Sequence, residues 1–242
     1  MDSAQAHQPT VVLVHGAFAD AGSWSGVTEL LLAAGVKVRA PANPLRGIAS
    51  DAAYTASVVA AFDGPVLLVG HSYGGATITG AAAQAPNVVG LVFVNGFAPE
   101  EGEKLSDVEG TSRDSALAPA LVQVPFPLGN GQLGVDLYVD PDQFHAIFGG
   151  DLPDAQSAVL GASQRPVAAS AFDEPNGIAA WKTLPSWAVI ATGDKAAGTD
   201  VTSMMANRAG ADILELDGSH LIMVSQPQAV TDHILKALRA VS

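Results

Sequence analysis

The sequence predicts an α/β fold: a sheet of about six strands, mostly or wholly parallel, with helices on both faces. Three observations carry this. Short apolar, β-branched runs recur at Thr10 to Val14, Val36 to Ala40, Val66 to Val69, Val88 to Val94, Trp187 to Thr192 and Ile213 to Leu216, too short for helices and bounded by turn residues. Helical spacing fills much of the chain between them, and strand alternating with helix requires crossover connections, parallel pairing and cover on both faces. Finally, 48% of the 242 residues are hydrophobic, enough to bury one large core.

In order, Thr10 to Val14 runs straight into the loop His15-Gly16-Ala17-Phe18. Trp24 to Ala34 has helical spacing, and Gly35 suits its C-terminal cap. Val36 to Ala40 is strand-like until Pro41 and Pro44 forbid its continuation. Asp51 to Phe62 reads as a helix with Ser50 as N-cap and Asp51 favoured by the helix dipole. Val66 to Val69 is a buried strand, and Ala76 to Ala83 a small-residue helix. Beyond the long middle segment, Thr199 to Ala209 reads as a helix, and Pro227 to Ala240 as a closing helix with proline in its first turn.

From Glu100 the alternation fails. The segment to about Ser170 is rich in proline, and a structureless loop of that length is improbable in a compact domain. It is therefore expected to be a mostly helical insertion, a cap comprising residues 100–170, with residues 1–99 and 171–242 forming the core.

A formal net charge of −13, with lysine and arginine scattered, argues against nucleic acid or an anionic membrane as partner. No cysteine is present, which excludes disulfides, thiolate metal sites and a cysteine nucleophile. Met1 to Pro9 lacks the basic start and apolar run of a secretory signal and is expected to fray, and no apolar run approaches the roughly 20 residues of a membrane span. The expectation is a cytoplasmic protein acting on a small molecule, with no metal motif, no phosphate-binding glycine loop and no cofactor.

The chemistry centres on Gly70-His71-Ser72-Tyr73-Gly74, a G-x-S-x-G match between a strand and a helix. A strand turning abruptly into a helix strains its central residue and brings the residues two positions either side into collision, so glycine is needed at both. The turn presents the Ser72 hydroxyl at the sheet edge, with the Tyr73 N–H free to face a developing oxyanion at the positive end of the helix. A nucleophilic serine needs a base, and the base needs an orienting acid. Of six histidines, His7 is in the N-terminal segment, His145 in the insertion and His233 in the last helix; His71 neighbours the nucleophile but should point elsewhere, and His15 follows the first strand. His220 lies in a loop at the carboxyl end of the last strand, the edge where open α/β sheets bind ligands. Asp194 follows the preceding strand in Thr192-Gly193-Asp194. Its rivals are Asp200, which reads as a helix N-cap, and Asp217, constrained by its closeness in sequence to His220. Ser72, Asp194 and His220 give the chain order Ser, Asp, His of G-x-S-x-G hydrolases. Ala17 N–H is the candidate second oxyanion donor.

Taken together, Val11-Val12-Leu13-Val14-His15-Gly16-Ala17-Phe18 with Trp24 downstream, Gly70-His71-Ser72-Tyr73-Gly74-Gly75, Thr192-Gly193-Asp194 and Gly218-Ser219-His220 resemble the α/β-hydrolase superfamily over nearly the whole chain, in its small serine carboxylesterase and hydroxynitrile lyase-like branch. The resemblance implies a helical cap over the active site. It also implies an N-terminal hairpin, which is expected to be missing here because the first clear strand leads directly into His15-Gly16. The lyases carry Thr and Lys where this chain has Gly16 and Leu221, which favours ester hydrolysis, and dehalogenases and epoxide hydrolases place Asp at the elbow. The expected function is a serine carboxylesterase for small, mostly apolar, uncharged esters. A ligand receptor with little turnover, a hydroxynitrile lyase and a cofactor-free haloperoxidase or perhydrolase are the alternatives. Phe18, Phe144, Ile147, Phe148 and Leu221 are candidates for the substrate pocket.

Overall fold

The structure, a computed structural model, describes residues 8–129 and 131–242. Most of the segment expected to fray, with His7, lies outside the described residues.

Six strands form one wholly parallel sheet: β1 (Thr10–Val14), β2 (Val38–Arg39), β3 (Val66–His71), β4 (Val88–Val94), β8 (Ser186–Ala191) and β9 (Asp212–Leu216), in the order β2-β1-β3-β4-β8-β9. The order explains the composition. β1, β3 and β8 are buried at every position and read as continuous apolar runs, as expected of a sheet covered on both faces, whereas edge strand β9 is half-exposed and carries Asp212 and Glu215. Helix α1 (Ser25–Ala33) packs with α10 (Pro227–Ala240), and α2 (Ile48–Val59) with α3 (Tyr73–Ala82). Small residues let α2 and α3 approach closely: a Cβ on Gly80 would lie 2.9 Å from that of Ala52. α1 ends as expected, with Gly35 at φ +76° and Val36 N–H returning to the Leu31 carbonyl.

Two local expectations fail for physical reasons. α2 begins at Ile48 after Gly47, so Ser50 is inside the helix rather than its cap, and the Asp51 carboxylate is completely buried, accepting from Arg46 N–H (3.1 Å) and the Tyr73 hydroxyl (2.8 Å). Asp200 does not cap α8 (Thr199–Arg208), which starts after Gly198; it accepts from Ser112 Oγ (2.6 Å) and Arg113 N–H (2.8 Å) and holds that distant loop.

Residues 100–170 are more mixed than the mostly helical insertion expected. Helices α4 (Leu105–Glu109), α5 (Pro141–Phe148) and α6 (Asp154–Ala162) are joined by an antiparallel hairpin, β5 (Leu121–Gly129) and β6 (Gln132–Val139), to which β7 (Val167–Ala168) adds a third strand. Pro125 and Pro127 lie on β5, an edge strand of this small sheet, where a missing N–H costs no ladder bond. The short helix α7 (Ser170–Asp173) follows. Arg46 ties this unit to the main sheet, pairing with Asp136 on β6 at 2.6 Å and lying 5.1 Å from the Phe126 ring centre. Among the described residues no helix is long and apolar enough to cross a membrane.

Candidate active site

Four strands deliver their carboxyl ends to one edge: β1 leads to His15–Phe18, β3 to Ser72, β8 to Asp194 and β9 to His220. At the β3–α3 junction Ser72 has φ 54° and ψ −126°, outside the ordinary range for a side-chain-bearing residue. Space dictates the flanking glycines. A Cβ on Gly70 would lie 2.5 Å from the Gly74 carbonyl oxygen, and one on Gly74 would run into the Val14 carbonyl oxygen of β1. Gly16 lets the first loop approach the nucleophile, because a Cβ there would meet Ser72 Cβ at 2.6 Å.

His220 and Asp194 are both completely buried, with His220 Nδ1 2.8 Å from Asp194 Oδ2. Asp194 Oδ1 accepts from the Ala196 (2.8 Å) and Ala197 (3.1 Å) N–H groups, so the carboxylate is held at both oxygens. A carboxylate accepts only; the imidazole proton therefore sits on Nδ1 and the lone pair on Nε2. Nε2 is buried and has no hydrogen-bond partner among the described residues, Ser72 Oγ included. A base left open in this way can take a proton from a hydroxyl that closes onto it when substrate binds. Of the expected oxyanion donors, neither Ala17 nor Tyr73 N–H has an acceptor within the described chain, while the neighbouring Phe18 N–H is taken by Arg165 O at 3.0 Å.

Asn95 and Asp151 escaped the sequence reading, and His71 takes a supporting role it was not assigned. Asn95, completely buried at φ 43°, accepts Ala191 N–H at Oδ1 (2.7 Å) and donates from Nδ2 to the His220 (3.0 Å) and Ser219 (3.3 Å) carbonyls. One amide thus ties the loop bearing the acid to the loop bearing the base. His71 does point away from the nucleophile, as expected, but its Nε2 meets the same His220 carbonyl at 3.0 Å and its ring lies 4.5 Å from that of His220. Burial, and then the His220 charge, hold its pKa well below the ordinary histidine value, so it stays neutral beneath the base. From the insertion, Asp151 and the Phe148 carbonyl both accept the Ser219 hydroxyl, and Phe148 O also accepts Leu221 N–H (3.1 Å). The available signal for Asn95 was a polar residue ending an otherwise apolar strand.

Of the five proposed pocket residues, Phe148 has its ring against that of His220. Phe148 packs edge-on against His220 (4.8 Å between ring centres) and Phe18 (5.7 Å), and stacks on Phe144 at 5.0 Å. Phe18, Phe144 and Leu221 border a void of only about 10 Å³, no larger than one water needs. A cavity of about 490 Å³ opens instead among α4, β5 and α7, and none of the five residues lines it.

His15 supplies a test of the first loop. It is completely buried; its Nδ1 is 2.9 Å from Gly16 O, and its Nε2 accepts Asn43 N–H at 2.9 Å, an arrangement open only to the neutral ring. Burial lowers its pKa from 6.5 to about 4. A depressed folded-state pKa gives stability that is complete above the unfolded value and is lost as pH falls through the folded one. His15 should accordingly remove about 3 kcal/mol between pH 6.5 and 4. Urea unfolding across that range checks this: His15→Gln should flatten the pH dependence, and an unchanged slope would refute the assignment.

Residues 11–233 match the profile described as "Alpha/beta hydrolase family". Over 41 residues the chain is 54% identical to a carbendazim hydrolyzing esterase of Nocardioides sp. (strain SG-4G), a stretch spanning 16% of this chain and 17% of that protein. Among solved structures, polyneuridine aldehyde esterase superposes with a TM-score of 0.80 at 21% identity, covering 96% of this chain and 99% of its own. Tomato methylketone synthase I, complexed with 2-tridecanone, gives 0.79 at 21% identity, covering 97% and 99%. A pyrethroid hydrolase from Sphingobium faniae JZ-2 gives 0.75 at 21% identity, covering 96% and 98%. At these identities the structural likeness concerns the fold, and the profile match over most of the chain places the protein: it belongs to the alpha/beta hydrolase family.

Proposed function

We propose that the protein is a serine carboxylesterase for small, mostly apolar, uncharged esters, acting through an acyl-enzyme. The observation that carries this reading is the buried His220–Asp194 pair, its Nε2 open, at the sheet edge that also bears the strained Ser72. Ser72 Oγ attacks the ester carbonyl as His220 Nε2 takes its proton; Asp194 holds the imidazole and offsets its charge; Ala17 and Tyr73 N–H groups receive the oxyanion; His220 then protonates the leaving alcohol. Water repeats the sequence on the acyl group. Three of the similar proteins carry esterase or hydrolase names, which agrees with the site chemistry. Residues 100–170 serve as the cap, since they bond to both the His15–Phe18 and His220 loops. Rapid labelling of Ser72 by a fluorophosphonate, together with repeated turnover of p-nitrophenyl esters, tests the proposal; tight ester binding without turnover would favour a receptor.

The cap residues Ile147 and Phe148 should separate pocket from packing. Both are buried, and Phe148 lies edge-on to the His220 ring. Phe148→Ala should cost about 3–5 kcal/mol of stability and open space beside the base, shifting relative kcat/KM toward bulkier esters about tenfold. Ile147→Ala should cost about 2–5 kcal/mol and leave the preference alone. Melting curves and an ester panel read both effects; equal preferences in the two variants would assign Phe148 to the packing of the cap.

A further inference from the structure

The cavity of about 490 Å³ is walled by Glu109 at the end of α4, Ser112 and Ser115 in the following loop, and Phe172 and Asp173 on α7, and no lysine, arginine or histidine lines it. It adjoins the reaction site on two sides. Ser115 Oγ donates to Ala196 O (2.7 Å) and Ala116 N–H to Lys195 O (2.8 Å), fastening this wall to the loop that bears Asp194, while the Phe172 ring lies 6.1 Å from that of Tyr73, the residue after the nucleophile. Glu109 forms no ion pair among the described residues; it is hydrogen-bonded by Ser115, and Asp173, the other charged residue lining the cavity, is also acidic, as is Asp194 behind it. Arg113, in the loop between Ser112 and Ser115, is exposed and pairs with Asp200 at 3.7 Å. A carboxylate without a counter-ion and an aromatic ring lining one cavity, with no cation among the lining residues, make the environment that attracts an alkylammonium group, through charge and through the ring face.

We propose that this cavity receives a cationic, alkylammonium part of the substrate, with Glu109 as the specificity-determining residue and the Phe172 ring beside it. The inference rests on the serine-esterase reading and widens its substrate class from uncharged esters to esters of amino alcohols or amino acids. Burial, and then the Asp194 charge, push the Glu109 carboxyl up to about 7, so the site becomes fully anionic, and most attractive to a cation, only above neutrality.

The test compares a 2-(trimethylammonio)ethyl ester with its 3,3-dimethylbutyl isostere, the acyl group being the same. Neither substrate titrates, and His220 protonation affects both alike, so the ratio of their kcat/KM values isolates the cavity. In the wild-type protein this ratio should rise about tenfold from pH 6 to pH 8.5; in Glu109→Gln it should be lower at pH 8.5 and flat. A wild-type ratio independent of pH, or one that Glu109→Gln leaves unchanged in a protein that melts normally, overturns the proposal. If neither ester is hydrolysed and Ser72 is not labelled by a fluorophosphonate, the esterase reading fails instead. The cavity is then judged by calorimetric titration with benzyltrimethylammonium at pH 8.5, where binding weakened at least fivefold by Glu109→Gln supports it and equal or absent binding overturns it.

Discussion

Ser72→Ala should lower kcat for ester hydrolysis by about a millionfold, His220→Ala by a similar factor, and the double variant by little more than either alone. The reason is that the two side chains act in one step. Without Ser72 Oγ there is no nucleophile for His220 to deprotonate, and without the Nε2 lone pair the hydroxyl remains protonated and weakly nucleophilic. What survives is the contribution of Ala17 and Tyr73 N–H to the oxyanion, with substrate positioning. Ser72→Ala should fold normally, and His220→Ala should fold with lower stability, because it leaves Asp194 Oδ2 buried without its imidazole partner. Single-turnover rates on a p-nitrophenyl ester, with circular dichroism on each variant, give the result. Losses that multiply in the double variant would show that the residues act independently and would refute a triad built on them.

Asp194→Asn should lower kcat by about ten-thousandfold while leaving the fold intact. The asparagine oxygen can keep the two N–H bonds from Ala196 and Ala197, but the amide then presents N–H to His220 Nδ1. That bond demands a lone pair on Nδ1, drives the imidazole proton to Nε2 and removes the base. The rival carboxylates serve as controls. Asp200 is occupied by Ser112 and Arg113, and Asp217 stands 3.5 Å from the Thr192 hydroxyl, its longest-range contact with the acid-bearing loop. Their asparagine variants should stay within roughly threefold of wild type in kcat. Normal activity in Asp194→Asn with collapse in either control would move the acid to that residue.

Much of this site was open to reading because its chemistry is local. The elbow occupies five consecutive residues whose spacing follows from a steric collision, and the loops of Asp194 and His220 each follow an apolar strand by a few residues. The supports behind them pair residues 22 to 125 apart in sequence: Asn95 with Ala191 and His220, Asp151 with Ser219, and Asp51 with Tyr73. No period or spacing in a single chain marks such pairs. The hairpin of residues 121–139 was masked differently. Its alternation is a hairpin signal, but Pro125 and Pro127 fit a strand only at a sheet edge, and which strand is the edge is set by the topology.

What the sequence determined by itself is the class of fold, the parallel sheet and the order of its chemical residues, because short apolar runs, helical periodicity and the elbow glycines are constraints within a few neighbours. Only the tertiary structure decided where open space lies. The aromatic residues Phe144 and Phe148, which a sequence offers as a pocket lining, fill their own volume by stacking on each other, with Phe148 edge-on to Phe18 and His220. The cavity opens instead between α4, β5 and α7, beside a carboxyl group that no motif distinguishes. Empty volume is set by how distant elements pack, and a linear pattern carries no record of it.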